Sequence, residues 1–233
     1  MKRLLLLLSP GRAVFLAIAL AAAPVRAQDT DAPPPPDRET MAMDSLLAEL
    51  RDLDEARANE PSDRALALRR VGALYLIGVH EEWAVKEGLA ALDSLPLESP
   101  ADSALPLAYR GALRVLKGKH AFWPHSKVGH VRRGLSALDR AVDMAPGSAR
   151  VRYLRLLSGY YLPGLFRRGD EVREDLAALA VLLPDARAEL PPNLLVEITR
   201  FVLENGDVSG PERAELRKLV SPAPADVVGT DAG

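Results

Sequence analysis

The chain has 233 residues, with 30 Lys and Arg against 32 Asp and Glu and no Cys, for a formal charge of −2. The absence of cysteine excludes disulfides, thiolate metal sites and a lipid-modified N-terminal Cys. The charge balance argues against a general nucleic-acid binder.

Residues 1–27 read as a secretory signal peptide: Lys2 and Arg3 open a basic region, Ala13 to Ala23 form an apolar run of 11, and Val25-Arg26-Ala27 offers a small-residue cleavage site. The alternative is a membrane anchor. Arg12 interrupts that stretch well short of the roughly 20 apolar residues a spanning helix needs, so cleavage is the preferred reading and a periplasmic or secreted protein is expected. The mature chain of 206 residues (27 fewer than 233) keeps 26 bases against 32 acids, a charge of −6. That length suits one domain or one short solenoid.

Residues 28–40, with Pro33 to Pro36 in series, have too little apolar surface to fold and read as a disordered tether. From Met41 the apolar residues recur with helical spacing, as in Leu46, Leu47, Leu50 and Leu53, and no segment alternates like a strand. Helices are predicted at 41–58, 63–79, 82–94, 101–117, 127–144, 149–161, 170–183, 193–204 and 211–219. Ser99, Pro100 and Asp102 mark one start and Ser209, Pro211 and Glu212 another, while Pro96, Pro146 and Pro184 close the helices before them. The α-helical domain spans 41–220, and a Pro-, Ala- and Gly-rich tail, 221–233, reads as disordered.

Gly72, Tyr75, Ala84, Ala91 and Pro96, followed by Gly134, Leu138, Ala141 and Pro146, carry a resemblance to tetratricopeptide helical repeats. The first unit keeps the spacing of the pattern, although Gly88 stands where an aromatic is expected. The resemblance implies an all-α, tetratricopeptide-like helical-hairpin solenoid of about nine helices, in which small residues let paired helices approach. In the second unit Gly111 and Gly134 are 23 residues apart, 11 more than the corresponding pair of the first. The extra residues, around Lys117 to Lys127, are predicted to emerge as a loop carrying Phe122 and Trp123, either exposed for binding or folded back over the core. Residues 109–175 also resemble a group of uncharacterised exported bacterial proteins through Lys119-His120, Gly134 to Ala141, Val151-Arg152-Tyr153-Leu154-Arg155, Pro163 with Leu165-Phe166, and Glu174-Asp175. That likeness implies no activity.

The charge distribution is the main functional hint. Residues 28–102 carry 17 acids and 7 bases, whereas residues 103–138 carry no acid and seven bases: Arg110, Arg114, Lys117, Lys119, Lys127, Arg132 and Arg133. His120, His125 and His130 share this stretch, but steps of five scatter them around a helix, so no metal site is expected. Arg152 and Arg155 share a helix face, with Asp175 the expected ion partner across the hairpin. Tyr160, Tyr161, Pro163 and Phe166 read as a packed aromatic corner.

No His-Glu-x-x-His, Gly-x-Ser-x-Gly or phosphate loop is present, so neither an enzyme nor a cofactor is expected. The reading is an exported protein-interaction scaffold whose basic face receives an acidic peptide or protein. The candidate ligand-binding residues are Arg110, Arg114, Lys119, His120, Phe122, Trp123, Lys127, Arg152 and Arg155. The alternative is a binder of a small anion or lipid headgroup, held by Arg152, Arg155 and the Lys119-His120 segment.

Overall fold

The structure is a computed structural model that describes residues 38–95 and 103–220, the side chains of 38–41 excepted. The signal peptide, most of the tether, the Ser99-Pro100-Asp102 cap, Pro96 and the 221–233 tail lie outside the described residues. Within them the protein is all-α, with nine helices. They are α1 (Arg38–Asn59), α2 (Arg64–Ile77), α3 (Glu82–Asp93), α4 (Ala104–His120), α5 (Pro124–Met144), α6 (Ala149–Tyr160), α7 (Gly169–Leu182), α8 (Pro192–Asn205) and α9 (Gly210–Val220). Short 3-10 turns at Gly164–Phe166 and Leu183–Ala188 flank α7. Helix α1 opens at Arg38, inside the segment read as tether.

Local chemistry sets several of these ends. Asp63 accepts from the backbone N–H of Ala65 at 2.7 Å and of Leu66 at 3.1 Å, taking two N-terminal donors of α2 that no helical carbonyl reaches. Ser209 and Glu212 close on each other as expected, the Glu212 carboxylate accepting from the Ser209 N–H at 3.1 Å and its hydroxyl at 2.7 Å. At α6 the Ser148 hydroxyl accepts from Val151 N–H at 3.2 Å. Glu189, far along the chain, accepts from the N–H groups of Ala149 and Arg150 at 3.0 Å each, so a carboxylate meets the positive end of the helix dipole.

Each helix packs on its chain neighbour, and α2, α4 and α6 also meet in sequence, as do α7 and α9. One apolar cluster joins α2 through α6, a second runs from α6 to α9, and a third lies under α1, α2 and the start of α3. Ala84 is fully buried in the third, with Leu74 and Ile77. Tyr75 packs edge-on against Tyr109 with ring centroids 6.2 Å apart. Arg150 of α6 donates to the Tyr109 hydroxyl at 2.7 and 3.0 Å, so one phenol ties α2, α4 and α6 together.

Two small residues act differently from the repeat pattern. A Cβ on Gly72 would lie 2.9 Å from the Tyr109 hydroxyl, and one on Gly88 would lie 2.9 Å from Leu113 Cδ1. Both therefore make room for α4, the first helix of the next pair, rather than for each other.

The 11 extra residues between Gly111 and Gly134 do not form the predicted loop. Helix α4 continues to His120 and α5 begins at Pro124, leaving only Ala121, Phe122 and Trp123 as connection. The helices are lengthened because their backbones touch all the way along. A Cβ on Gly111 would lie 2.8 Å from the carbonyl oxygen of Gly134, and one on Gly118 would lie 3.0 Å from that of Lys127. Pro124 then starts α5 at its first turn, where its missing N–H costs nothing. The pairing of 111 with 134 and of 118 with 127 shows that the two helices run antiparallel.

Candidate functional site

The acid-free stretch of sequence folds into the α4–α5 pair, and its charges meet different fates there. Arg110 is ion-paired with Asp93 of α3 and donates to the Leu92 carbonyl at 3.2 Å. An acid absent from the stretch is thus supplied by the helix packed beside it. Lys119 and His120 are also committed to the fold. The Lys119 ammonium donates to the carbonyl of Val79, and His120 Nε2 lies 2.9 Å from that of Gly78, the residue that ends α2. The Lys119 ammonium just past the end of α2 complements the negative end of its dipole. This contact also clamps the α2–α3 turn to the end of α4.

Arg152 and Arg155 belong to a buried ion network. Asp175, fully buried, accepts from Arg152 at 3.0 Å and from Arg155 at 2.9 and 2.8 Å. Glu174 accepts from the same two guanidinium groups at 2.8 and 3.0 Å. Arg168 extends the cluster to Asp139 and, at 3.0 Å, to Glu171. Burial pushes the Asp175 carboxyl above its ordinary range, while the bond from Arg152 holds Glu174 below it. Both arginines find their carboxylates inside the protein, so the arrangement fixes how α6 crosses α7 and does not present forks to an external anion. The expected aromatic corner is only partly packed: Tyr161 and Phe166 lie against different apolar clusters, while Tyr160 and Pro163 are exposed, Tyr160 standing against Phe201 at 4.9 Å with its hydroxyl donating to Asn205 at 2.8 Å.

Two surfaces of the α4–α5 pair remain open. On one flank, Arg114 and Lys117 lie three residues apart on α4, and His130 and Arg133 three apart on α5, so each pair shares a helix face. Antiparallel pairing brings the two faces together. The His130 imidazole is held below its ordinary pKa by partial burial and then by the charges of Lys117, Arg133 and Arg114. Neither Arg114, Lys117 nor Arg133 has an ion pair among the described residues. Of this group only Arg114 was among the sequence candidates. Lys117, His130 and Arg133 were legible as bases and an imidazole, but their grouping depends on the register between two helices.

The second open surface is the connection between α4 and α5. Phe122 is 84% exposed and Trp123 62% exposed, which decides against rings folded back over the core. The two rings meet edge to face at 5.3 Å, and His125 stacks on Trp123 at 6.3 Å. Lys127 stands one turn into α5 with no ion pair among the described residues. The three histidines are therefore parted: one on a helix end, one on an indole and one among cations. Among the described residues no helix is long and apolar enough to cross a membrane.

Comparison with protein-family models, with curated proteins and with solved structures gave no match.

Proposed function

We propose that this chain is an exported, tetratricopeptide-like interaction scaffold whose α4–α5 pair receives an acidic peptide or protein on its basic flank. The observation that carries the reading is the grouping of Arg114, Lys117 and Arg133, which hold no ion pair among the described residues, around His130, whose pKa is depressed by partial burial and then by their charges. Like charges held together on a protein of net negative mature charge raise the energy of the free state, and an anionic partner relieves that repulsion. Packing of each helix on its neighbours, with α2, α4 and α6 in sequence, supports a stacked-hairpin scaffold. The small-anion alternative loses its groups, because Arg152, Arg155, Lys119 and His120 are bonded within the fold.

A labelled Glu-rich peptide tests the reading by fluorescence anisotropy. Binding should weaken with salt, since exposed charges are screened over roughly 8 Å at physiological ionic strength. Replacing Arg114, Lys117 and Arg133 together with Ala should slow association at least tenfold. Equal association rates for the triple variant and the parent would defeat the proposal. Export follows from the N-terminal pattern alone, and a mature terminus at Gln28 by sequencing is the expected result.

A further inference from the structure

The tip of the α4–α5 pair differs in chemistry from the flank. Phe122 and Trp123 are large apolar side chains on a three-residue turn, and both face solvent. Packing against each other and against His125 holds the rings in place without burying them. Helix α5 has 21 residues and α6, joined to it by a short link, has 12. The nine extra residues carry the start of α5 about 13 Å past the end of α6. Trp83, 42% exposed, stands in the first turn of α3, at the end that Lys119 and His120 clamp to α4. The charges beside the tip are Lys119, bonded to the Val79 carbonyl, Lys117, one turn from the end of α4, and Lys127, one turn into α5. The acids nearest along the packed elements are Glu81 and Glu82; Glu82 is ion-paired with Lys86 at 3.0 Å and also feels the charge of Lys117.

We propose that the Phe122-Trp123 tip is a wedge that enters the interface of an anionic lipid membrane, with Lys117 and Lys127 at headgroup level. Two exposed aromatic rings with basic side chains behind them favour this occupant over a peptide. Phe122 and Trp123 line neither the cleft between α1 and α2 nor the one between α5 and residues 165–168. A lipid interface closes around two exposed rings that stand against each other on a short turn. Indole and phenyl rings partition at the headgroup boundary, and basic side chains just behind them are drawn to anionic headgroups. The inference shares Lys117 with the flank, so Phe122, Trp123 and Lys127, which the flank reading does not use, decide it separately from the acidic partner.

The probe is phosphatidylglycerol vesicles against phosphatidylcholine vesicles. The chain has two tryptophans, so Trp83→Phe leaves Trp123 as the single reporter. With phosphatidylglycerol, Trp123 emission should shift to the blue and be quenched by lipids brominated near the headgroup. With phosphatidylcholine both effects should fall by at least tenfold in apparent affinity. Phe122→Ser should weaken partition about tenfold, and Lys117→Ala or Lys127→Ala about fivefold each. Phe122 and Lys117 are exposed and Lys127 is half-buried with no ion pair among the described residues, so circular dichroism of the variants should match the parent. Vesicle binding with Trp123 unshifted and unquenched would mean that another segment, such as the N-terminal apolar run, makes the contact, and would overturn the inference. Trp123 protected from aqueous quencher by self-association without lipid would assign the tip to a second copy instead. Loss of Glu-rich peptide binding with the Trp123 insertion intact would defeat the flank reading alone.

Discussion

Gly111 of α4 and Gly134 of α5 face each other backbone to backbone: a Cβ added to Gly134 would lie 2.6 Å from the Gly111 carbonyl oxygen, and one added to Gly111 would lie 2.8 Å from that of Gly134. Real Cβ atoms do not come so close to main-chain atoms, and neither backbone can retreat without separating the helices. Gly134→Ala should therefore destabilise by about 1–3 kcal/mol, although Ala in an isolated helix is favoured over Gly by about 1 kcal/mol. Gly147→Ala, where a Cβ meets nothing within 4 Å, is the control. Denaturant midpoints of the two variants measure the difference, and equal midpoints would contradict the close approach.

The ion network between α6 and α7 predicts unequal effects from adjacent carboxylates. Asp175→Ala removes the buried partner of two guanidinium groups and should cost about 3–5 kcal/mol. Glu174→Ala, whose side chain is half-exposed, should cost less than about 1 kcal/mol. Thermal melts of both variants give the comparison.

Lys119 and His120 should behave as fold residues. Each loses a contact to a terminal carbonyl of the α2 end on truncation to Ala, at a cost of about 1 kcal/mol, with peptide association unchanged. Lys117→Ala, two residues earlier, should show the reverse: slower association and nearly unchanged stability. A titration of both variants by calorimetry and stopped flow separates the two outcomes.

His130 should titrate below an ordinary imidazole, first through desolvation and then through Lys117, Arg133 and Arg114. The sign of the stability effect follows. A depressed folded-state pKa means that the unfolded chain binds more protons in the interval between the two values. The His130 contribution is therefore complete above the unfolded-state value and lost as pH falls through the folded one. Lys117→Ala should raise the His130 pKa, and so should a bound anionic peptide. Proton NMR of the imidazole follows both, and an unchanged titration in Lys117→Ala would remove Lys117 from the cluster.

Nine helices and most of their ends were legible in the sequence, because helix formation depends on residues three and four apart and on breakers and caps at the ends. The 63–79 and 149–161 segments appear as α2 and α6 to within two residues. The Asp175 partnership was legible for the same reason: two arginines share a face, and a short link returns the chain beside it. The fate of the basic stretch was not legible. Asp93 reaches Arg110 across 17 residues of chain, and the Gly78 and Val79 carbonyls take His120 and Lys119 across about 40. A charge is free only if no packed neighbour supplies its partner, and that depends on which helices touch. The same holds for the expected loop. Gly111, Gly118 and Gly134 read as separate small residues in the chain, and only their registration across two antiparallel helices turns them into the contact that extends the pair and leaves Phe122 and Trp123 in solvent.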